Sequence, residues 1–106
     1  MQEWALTALI QIWQAIEQKA VSVLVYGSQV RGHDREESDL DLIAFDRDCY
    51  DKILSVAESW QATNPPRIVS VQLCDRQVYE TNIRPFWRTL RREGKFVEQI
   101  VPPQLE

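Results

Sequence analysis

The sequence predicts a small α/β fold of the α+β type, in which helices cover a small mixed β-sheet. Three apolar segments have the length and the β-branched composition of strands, and the segments around them repeat their apolar residues at helical spacing. A chain of 106 residues, of which 44% are hydrophobic, can bury one core but is short for two domains. We therefore expect residues 1–106 to form a single domain.

The first part of the chain is predicted to form a helix and two strands. Residues 4–19 have one apolar stripe at helical spacing, which indicates the helix. The β-branched run at 21–26 predicts the first strand, and residues 40–45 predict the second. The polar residues 28–38 between these strands are expected to form a short helix and then a loop.

The next segment is predicted to contain a helix and a third strand. Residues 50–61 repeat their apolar side chains at helical spacing, and Asp46 and Asp48 precede them as candidates for the N-cap. Residues 67–74 have the composition of a strand.

The last predicted helix covers residues 83–93. We expect its apolar stripe to face the core, and Gly94 is a natural residue for the helix end. The predicted stripe consists of Ile83, Phe86, Trp87 and Leu90. Residues 96–101 could add a short extended segment.

Composition and charge argue against several classes of protein. The formal net charge is −4 and the pI is about 5.0, which argues against a nucleic-acid partner because the phosphate backbone is bound by a basic face. No apolar run approaches the roughly 20 residues that span a bilayer, and the N-terminus lacks the features of a secretory signal. We expect a cytoplasmic protein without a membrane partner, in which Cys49 and Cys74 are structural.

Gly27 and Ser28 follow the first predicted strand and begin the short helix. A glycine at such a turn allows the backbone to approach a ligand closely, and backbone N–H groups at the turn can bind phosphate. The serine adds a hydroxyl group. A glycine–serine pair after a strand is by itself more often a simple turn.

Asp39 and Asp41 lie two residues apart at the start of the second predicted strand. Side chains alternate along a strand, so both carboxylates should lie on one face. Two adjacent negative charges are costly unless a cation lies between them, and oxygen ligands of this kind suit Mg²⁺ that also binds substrate phosphates. The alternative is a polar strand start on a solvated face.

The two pairs form one motif, Gly27-Ser28 followed by ten residues and Asp39-x-Asp41. The segments 26–32, YGSQVRG, and 38–42, SDLDL, resemble the signature of the nucleotidyltransferase superfamily, which includes the catalytic domain of DNA polymerase β. More narrowly, the chain is similar to the minimal nucleotidyltransferases, short stand-alone proteins that are often encoded beside a HEPN-domain protein.

The resemblance implies a nucleotidyltransferase fold and a role for each residue of the motif. Gly27 and Ser28 would contact the triphosphate, and Asp39 and Asp41 would bind Mg²⁺. The implied reaction moves a nucleoside monophosphate, AMP from ATP, onto a hydroxyl group. The implied acceptor is a partner HEPN-domain protein, with the two proteins acting as toxin and antitoxin.

The sequence departs from the family pattern at the third carboxylate, which family members usually carry on the next strand. The matching place in this chain is Ser70 or Gln72. Asp75 could serve as the third acid only if the strand ends early or bulges. The alternative function is therefore a catalytically impaired module that binds a nucleotide or a partner.

Ile43 and Phe45 share strand parity with the two aspartates. They should face the side of the sheet opposite Leu40 and Leu42, where apolar groups need cover. The cover could come from the ends of the chain, from a second copy, which would make a homo-oligomer, or from another protein.

Overall fold

The structure, a computed structural model, describes residues 1–16, 23–32 and 39–101. Within these ranges the helices are α1 (Glu3–Ala15), α2 (Ser28–Arg31), α3 (Arg47–Thr63), α4 (Arg76–Thr81), α5 (Pro85–Glu93) and α6 (Val97–Ile100). The strands are β1 (Val23–Tyr26), β2 (Leu40–Ala44), β3 (Val69–Leu73) and β4 (Lys95–Phe96). No helix in the described ranges is long and apolar enough to cross a membrane.

The four strands form one mixed sheet in the order β3-β2-β1-β4. β1 runs antiparallel to both β2 and β4, whereas β2 and β3 are parallel and are connected through α3. In this register Asp41 is paired with Tyr26 on one side and with Ser70 on the other. The prediction of a small mixed sheet with helices is confirmed.

The larger hydrophobic core lies between one face of the sheet and helices α1 and α3. Side chains at alternate positions of β1 and β2 point into it, as the period of a strand requires. Its buried residues include Leu9, Ile12, Val23, Val25, Leu40, Leu42, Ile53, Ala57 and Trp60.

A smaller apolar cluster covers the opposite face of the sheet. It joins Leu24 and Ile43 of the sheet to Tyr79 of α4 and Leu90 of α5. Ile43 is only 1% exposed, so its cover comes from the C-terminal part of this chain. Of the three sources of cover considered above, this is the one that the structure contains.

Helix α3 shows how a cap determines where a helix begins. The Asp46 carboxylate accepts a hydrogen bond of 2.8 Å from the backbone N–H of Cys49, so the helix starts at Arg47, three residues before the predicted boundary. Asp48 lies inside the first turn. For α1, the predicted residues after 16 lie outside the described part of the chain.

The helix predicted over residues 83–93 is present as α5, but a separate short helix, α4, precedes it and was not predicted. The prediction for the apolar stripe was wrong for two of its four residues, since only Trp87 and Leu90 pack against the smaller cluster. Ile83 is 79% exposed and Phe86 is 57% exposed, whereas Leu90 is buried. The reason is that Tyr79 of α4 fills part of the space over the sheet, so α5 reaches this cluster mainly through Leu90.

The segment after α5 also differs from the prediction. Gly94 ends α5, but its φ of −67° is not the left-handed conformation that the prediction assumed. A Cβ atom at this position would lie 2.6 Å from the carbonyl oxygen of Leu90, so close packing excludes a side chain. The predicted extended segment 96–101 is replaced by the two-residue strand β4 and the helix α6.

Candidate functional site

Gly27 makes the turn that connects β1 to α2. Its φ of 83° lies in the left-handed region, where glycine is favoured over residues with a side chain. The backbone N–H groups of Val30 and Arg31 donate to its carbonyl oxygen, at 3.2 and 3.3 Å. Ser28 is the first residue of α2, as the sequence predicted for a short helix at this point.

The structure places Asp41 directly against Gly27. A Cβ atom at position 27 would lie 2.5 Å from Oδ2 of Asp41, well inside van der Waals contact. The antiparallel pairing of Tyr26 with Asp41 produces this approach, because it aligns the end of β1 with the start of β2. Two parts of the sequence motif, 14 residues apart, therefore meet at one point.

The electrostatics of Asp41 are unfavourable to its charged form. Partial burial raises the pKa of its carboxyl group, the nearby Asp39 carboxylate raises it further, and the Arg31 guanidinium lowers it. Arg31 is also 3.7 Å from the carboxylate of Glu93, so its positive charge is shared. A cation bound between Asp39 and Asp41 would relieve the repulsion between them.

Ser70 occupies the place next to Asp41 where a third carboxylate was sought. It is the partner of Asp41 in the parallel pairing of β2 with β3, and paired residues have their side chains on the same face. Its hydroxyl group is uncharged and replaces a carboxylate poorly as a ligand for a hard cation. Gln72, the other matching position, is exposed.

Asp75 caps α4. Its carboxylate accepts hydrogen bonds from the backbone N–H groups of Gln77 and Val78, at 2.8 and 3.2 Å. It follows the end of β3 that is farther from Asp41, beyond three strand steps of roughly 3.3 Å each. This placement does not favour Asp75 as the third acid.

The acidic pair alone does not complete a metal site. Within residues 1–16, 23–32 and 39–101, no group of three or more His, Cys, Asp or Glu side chains is arranged to hold a metal ion. Two carboxylates are nevertheless enough for Mg²⁺ when substrate phosphates and water complete its coordination. Asp39 and Asp41 therefore suit a magnesium ion that arrives with a phosphate ligand.

A cavity of about 250 Å³ opens beside Gly27, on the face of the sheet that α5 covers. Tyr26, Gly27 and Arg31 form one wall, and α5 forms the other. The residues contributed by α5 and its C-terminal end are Phe86, Thr89, Leu90, Glu93 and Gly94. The sequence does not predict this cavity, although the i, i+3, i+4 and i+7 spacing of Phe86, Thr89, Leu90 and Glu93 places them on one face of α5.

Tyr26 connects the cavity to the acidic pair. Burial raises the pKa of its phenol group, and the neighbouring Asp41 carboxylate and Cys74 raise it further. The hydroxyl group therefore stays protonated at neutral pH and can donate a hydrogen bond. Asp41 has the same strand parity as Ile43, so it lies on the same face of the sheet as Tyr26 and this cavity.

A larger groove of about 860 Å³ lies elsewhere, between α1 and α3. Its walls carry hydroxyl and amide side chains around Trp4 and Trp60, whose rings stack with centroids 5.5 Å apart. The Arg67 guanidinium covers the Trp4 ring at 5.4 Å. None of the motif residues lines this groove, so its size does not make it the candidate site.

No protein-family model matches the chain, and no curated protein shows a match to it.

Proposed function

We propose that this chain is a magnesium-dependent nucleotidyltransferase of the minimal type, with the corresponding fold, acting in the cytoplasm. The observation that carries the proposal is the contact of Asp41 Oδ2 with the Gly27 turn. The contact supports the proposal because a carboxylate is a suitable ligand for Mg²⁺ and the adjacent turn leaves room for a phosphate group. The resemblance of the motif to the nucleotidyltransferase superfamily supports the same conclusion.

Each residue of the site has a proposed role. Gly27 lets the triphosphate approach the backbone, and the hydroxyl group of Ser28 donates a hydrogen bond to it. Asp39 and Asp41 hold Mg²⁺, and Arg31 adds positive charge beside them. When bound, Mg²⁺ supplies charge stabilisation for the phosphate oxygens.

The proposed reaction is the transfer of AMP from ATP to a hydroxyl group. The hydroxyl oxygen forms a bond to the α-phosphorus, the bond between this phosphorus and the bridging α–β oxygen breaks, and pyrophosphate leaves while the hydroxyl proton passes to a base. The proposed acceptor is a partner HEPN-domain protein, and the pair would act as toxin and antitoxin.

A second candidate function is a module that binds a nucleotide or a partner without transfer. It is favoured by Ser70, which stands beside Asp41 where a third carboxylate was sought, and by Asp75, whose carboxylate is used as a helix cap. Without a third acid near Asp41, deprotonation of the attacking hydroxyl group would need another base.

The test combines binding with transfer. Isothermal titration calorimetry would measure Mg-ATP binding to the wild-type chain and to Asp41→Asn, with Asp48→Asn as a matched control on the exposed side of α3. Intact-mass analysis would then follow the protein encoded by the neighbouring gene after incubation with this chain, ATP and Mg²⁺.

We expect Mg-ATP binding that is lost only in Asp41→Asn and a mass increase of one or more AMP units on the acceptor. Asp41-dependent binding without any mass increase would support the binding module instead. Absence of Mg-ATP binding to the wild-type chain would contradict the transferase and the nucleotide-binding module, and would leave a partner-binding module as the remaining function.

A further inference from the structure

The cavity beside Gly27 adjoins the proposed phosphate site. Gly27 and Arg31 belong to both, because they line the cavity and lie beside Asp41. A ligand whose phosphates lie on the Gly27 turn is therefore adjacent to this cavity.

The volume of the cavity limits what it can hold. About 250 Å³ is below the roughly 300–1,000 Å³ of sites that enclose whole drug-sized ligands. A single planar ring system can enter, whereas the sugar and the triphosphate of a nucleotide would remain outside, over the turn.

Phe86 gives the cavity an aromatic surface. The side chain is 57% exposed, although most phenylalanines in helices pack inward. Its ring meets the Trp87 ring edge-on, with centroids 5.3 Å apart and an interplanar angle of 80°. Trp87 thus contacts the ring edge-on and Phe86 stays more than half exposed beside the cavity. Exposed aromatic rings bind nucleobases by stacking.

Glu93 gives the cavity a charged hydrogen-bond acceptor, beside the donor Arg31. Glu93 lies 3.7 Å from Arg31 and 3.6 Å from Arg92, too far for either guanidinium to form a strong hydrogen bond with it. A carboxylate only accepts hydrogen bonds, so Glu93 suits the amino group of adenine, guanine or cytosine. It is unfavourable to uracil, which presents a carbonyl oxygen at that position.

We propose that this cavity binds the base of the nucleotide, that Phe86 stacks on it, and that Glu93 accepts from its exocyclic amino group. This inference rests on the proposed function, because it assumes that the triphosphate lies on the Gly27 turn.

Calorimetry with three magnesium complexes separates the base from the phosphates. Mg-tripolyphosphate reports the phosphate site alone, Mg-ATP adds an amino-bearing base, and Mg-UTP adds a base without the amino group. We expect Mg-ATP to bind about tenfold more tightly than Mg-tripolyphosphate, as one stacked base would provide. Mg-UTP should bind more weakly than Mg-ATP.

Substitutions in α5 test the two residue roles. Phe86→Ala should weaken Mg-ATP about tenfold and leave Mg-tripolyphosphate unchanged, whereas Phe86→Trp should retain Mg-ATP binding. Ile83→Ala is the matched control, because it removes an even more exposed apolar side chain outside the cavity. Glu93→Gln should reduce the preference for ATP over UTP, with Glu98→Gln on α6 as its control.

The outcomes distinguish this inference from the proposed function. Equal affinities for Mg-ATP and Mg-tripolyphosphate, or equal effects of Phe86→Ala and Ile83→Ala, would overturn the base cavity and leave the phosphate site standing. Equal affinities for Mg-ATP and Mg-UTP would overturn the role of Glu93. If neither Mg-ATP nor Mg-tripolyphosphate binds, the proposed function is overturned and the base cavity with it. Thermal melts of each variant would confirm that the folded state is retained.

Discussion

Asp41 is the residue of the candidate site whose charged side chain lowers the stability of the fold. Its carboxylate is partly buried, faces Asp39 and is packed against Gly27, and its raised pKa shows that the fold disfavours the charged form. Residues that serve a site in this way commonly lower the stability of the free protein. The effect of the motif on the free energy of unfolding can therefore be measured without any substrate.

We predict that Asp41→Asn stabilises the free protein at pH 7. The amide removes a charge that the fold disfavours, and the gain should be roughly 0.5–1 kcal/mol because solvent screens the part of the side chain that remains exposed. Urea unfolding without Mg²⁺ measures the change, and Asp48→Asn on the exposed side of α3 should give no gain. A loss of stability in Asp41→Asn would show that the carboxylate is favourable in the free protein.

Cys49 should be a chemically inert thiol. Burial raises its pKa to about 11, with Asp46 and Asp48 adding to the effect. At pH 8 only about one thiol in a thousand is then ionised, so alkylation by iodoacetamide should be slow until the protein unfolds. Peptide mass mapping of timed reactions, with and without urea, checks this expectation. Rapid labelling of the folded protein would contradict it.

The same thiol adds a pH dependence to stability. The folded state holds the proton more tightly than the unfolded state, whose thiol has a pKa near 9.0. The contribution is therefore complete below about pH 9 and is lost as the pH rises through 11. The raised pKa of Tyr26 contributes to the same alkaline decrease in the free energy of unfolding. Cys49→Ala should therefore make the decrease smaller, and an unchanged decrease would assign it to other groups.

At the scale of elements, the sequence predicted the helices and strands that are indicated by neighbouring residues in the chain. Strands β1 and β2 follow from runs of β-branched and aliphatic residues, and Asp46 is a recognisable cap for α3. Helix α4 was missed because its six residues are too few to show helical periodicity. Asp75 is a local signal for a helix cap, but the resemblance led to its interpretation as a possible third acid.

Asp75 allows a cap to be distinguished from a catalytic acid. Asparagine caps helices as well as aspartate, so Asp75→Asn should keep both stability and any transfer activity. Asp75→Ala should cost about 1 kcal/mol, because two backbone N–H groups lose their acceptor. Urea unfolding and the transfer assay check the two variants together. Loss of transfer in a stable Asp75→Asn variant would instead identify Asp75 as the third acid.

At the scale of the whole molecule, the two faces of the sheet differ in the groups that they carry. The face under α1 and α3 carries the larger core, and the opposite face combines a smaller apolar cluster with the candidate site. The sequence predicted the motif because its residues are close along the chain. It could not predict the cavity, because Phe86 and Glu93 reach Tyr26 only through the packing of α5 on the sheet.

This division predicts that stability and binding can be changed separately. Ile53→Ala should lower the free energy of unfolding by roughly 2–5 kcal/mol, because it leaves a void in the larger core. Mg-ATP affinity of the folded fraction should remain unchanged, since the void lies on the other side of the sheet. Urea unfolding and calorimetry well below the unfolding midpoint measure the two effects. A matching loss of affinity would show that the larger core positions the site.

Because Gly27 and Asp41 are in contact, substitutions at these two positions should not have independent effects. Any side chain at position 27 collides with the carboxylate and strains a backbone with φ of 83°. A smaller residue at position 41 would relieve the collision, but it would remove the ligand. A double-mutant cycle should therefore be strongly non-additive. A mutant library selected for function should recover the glycine wherever it recovers the acid.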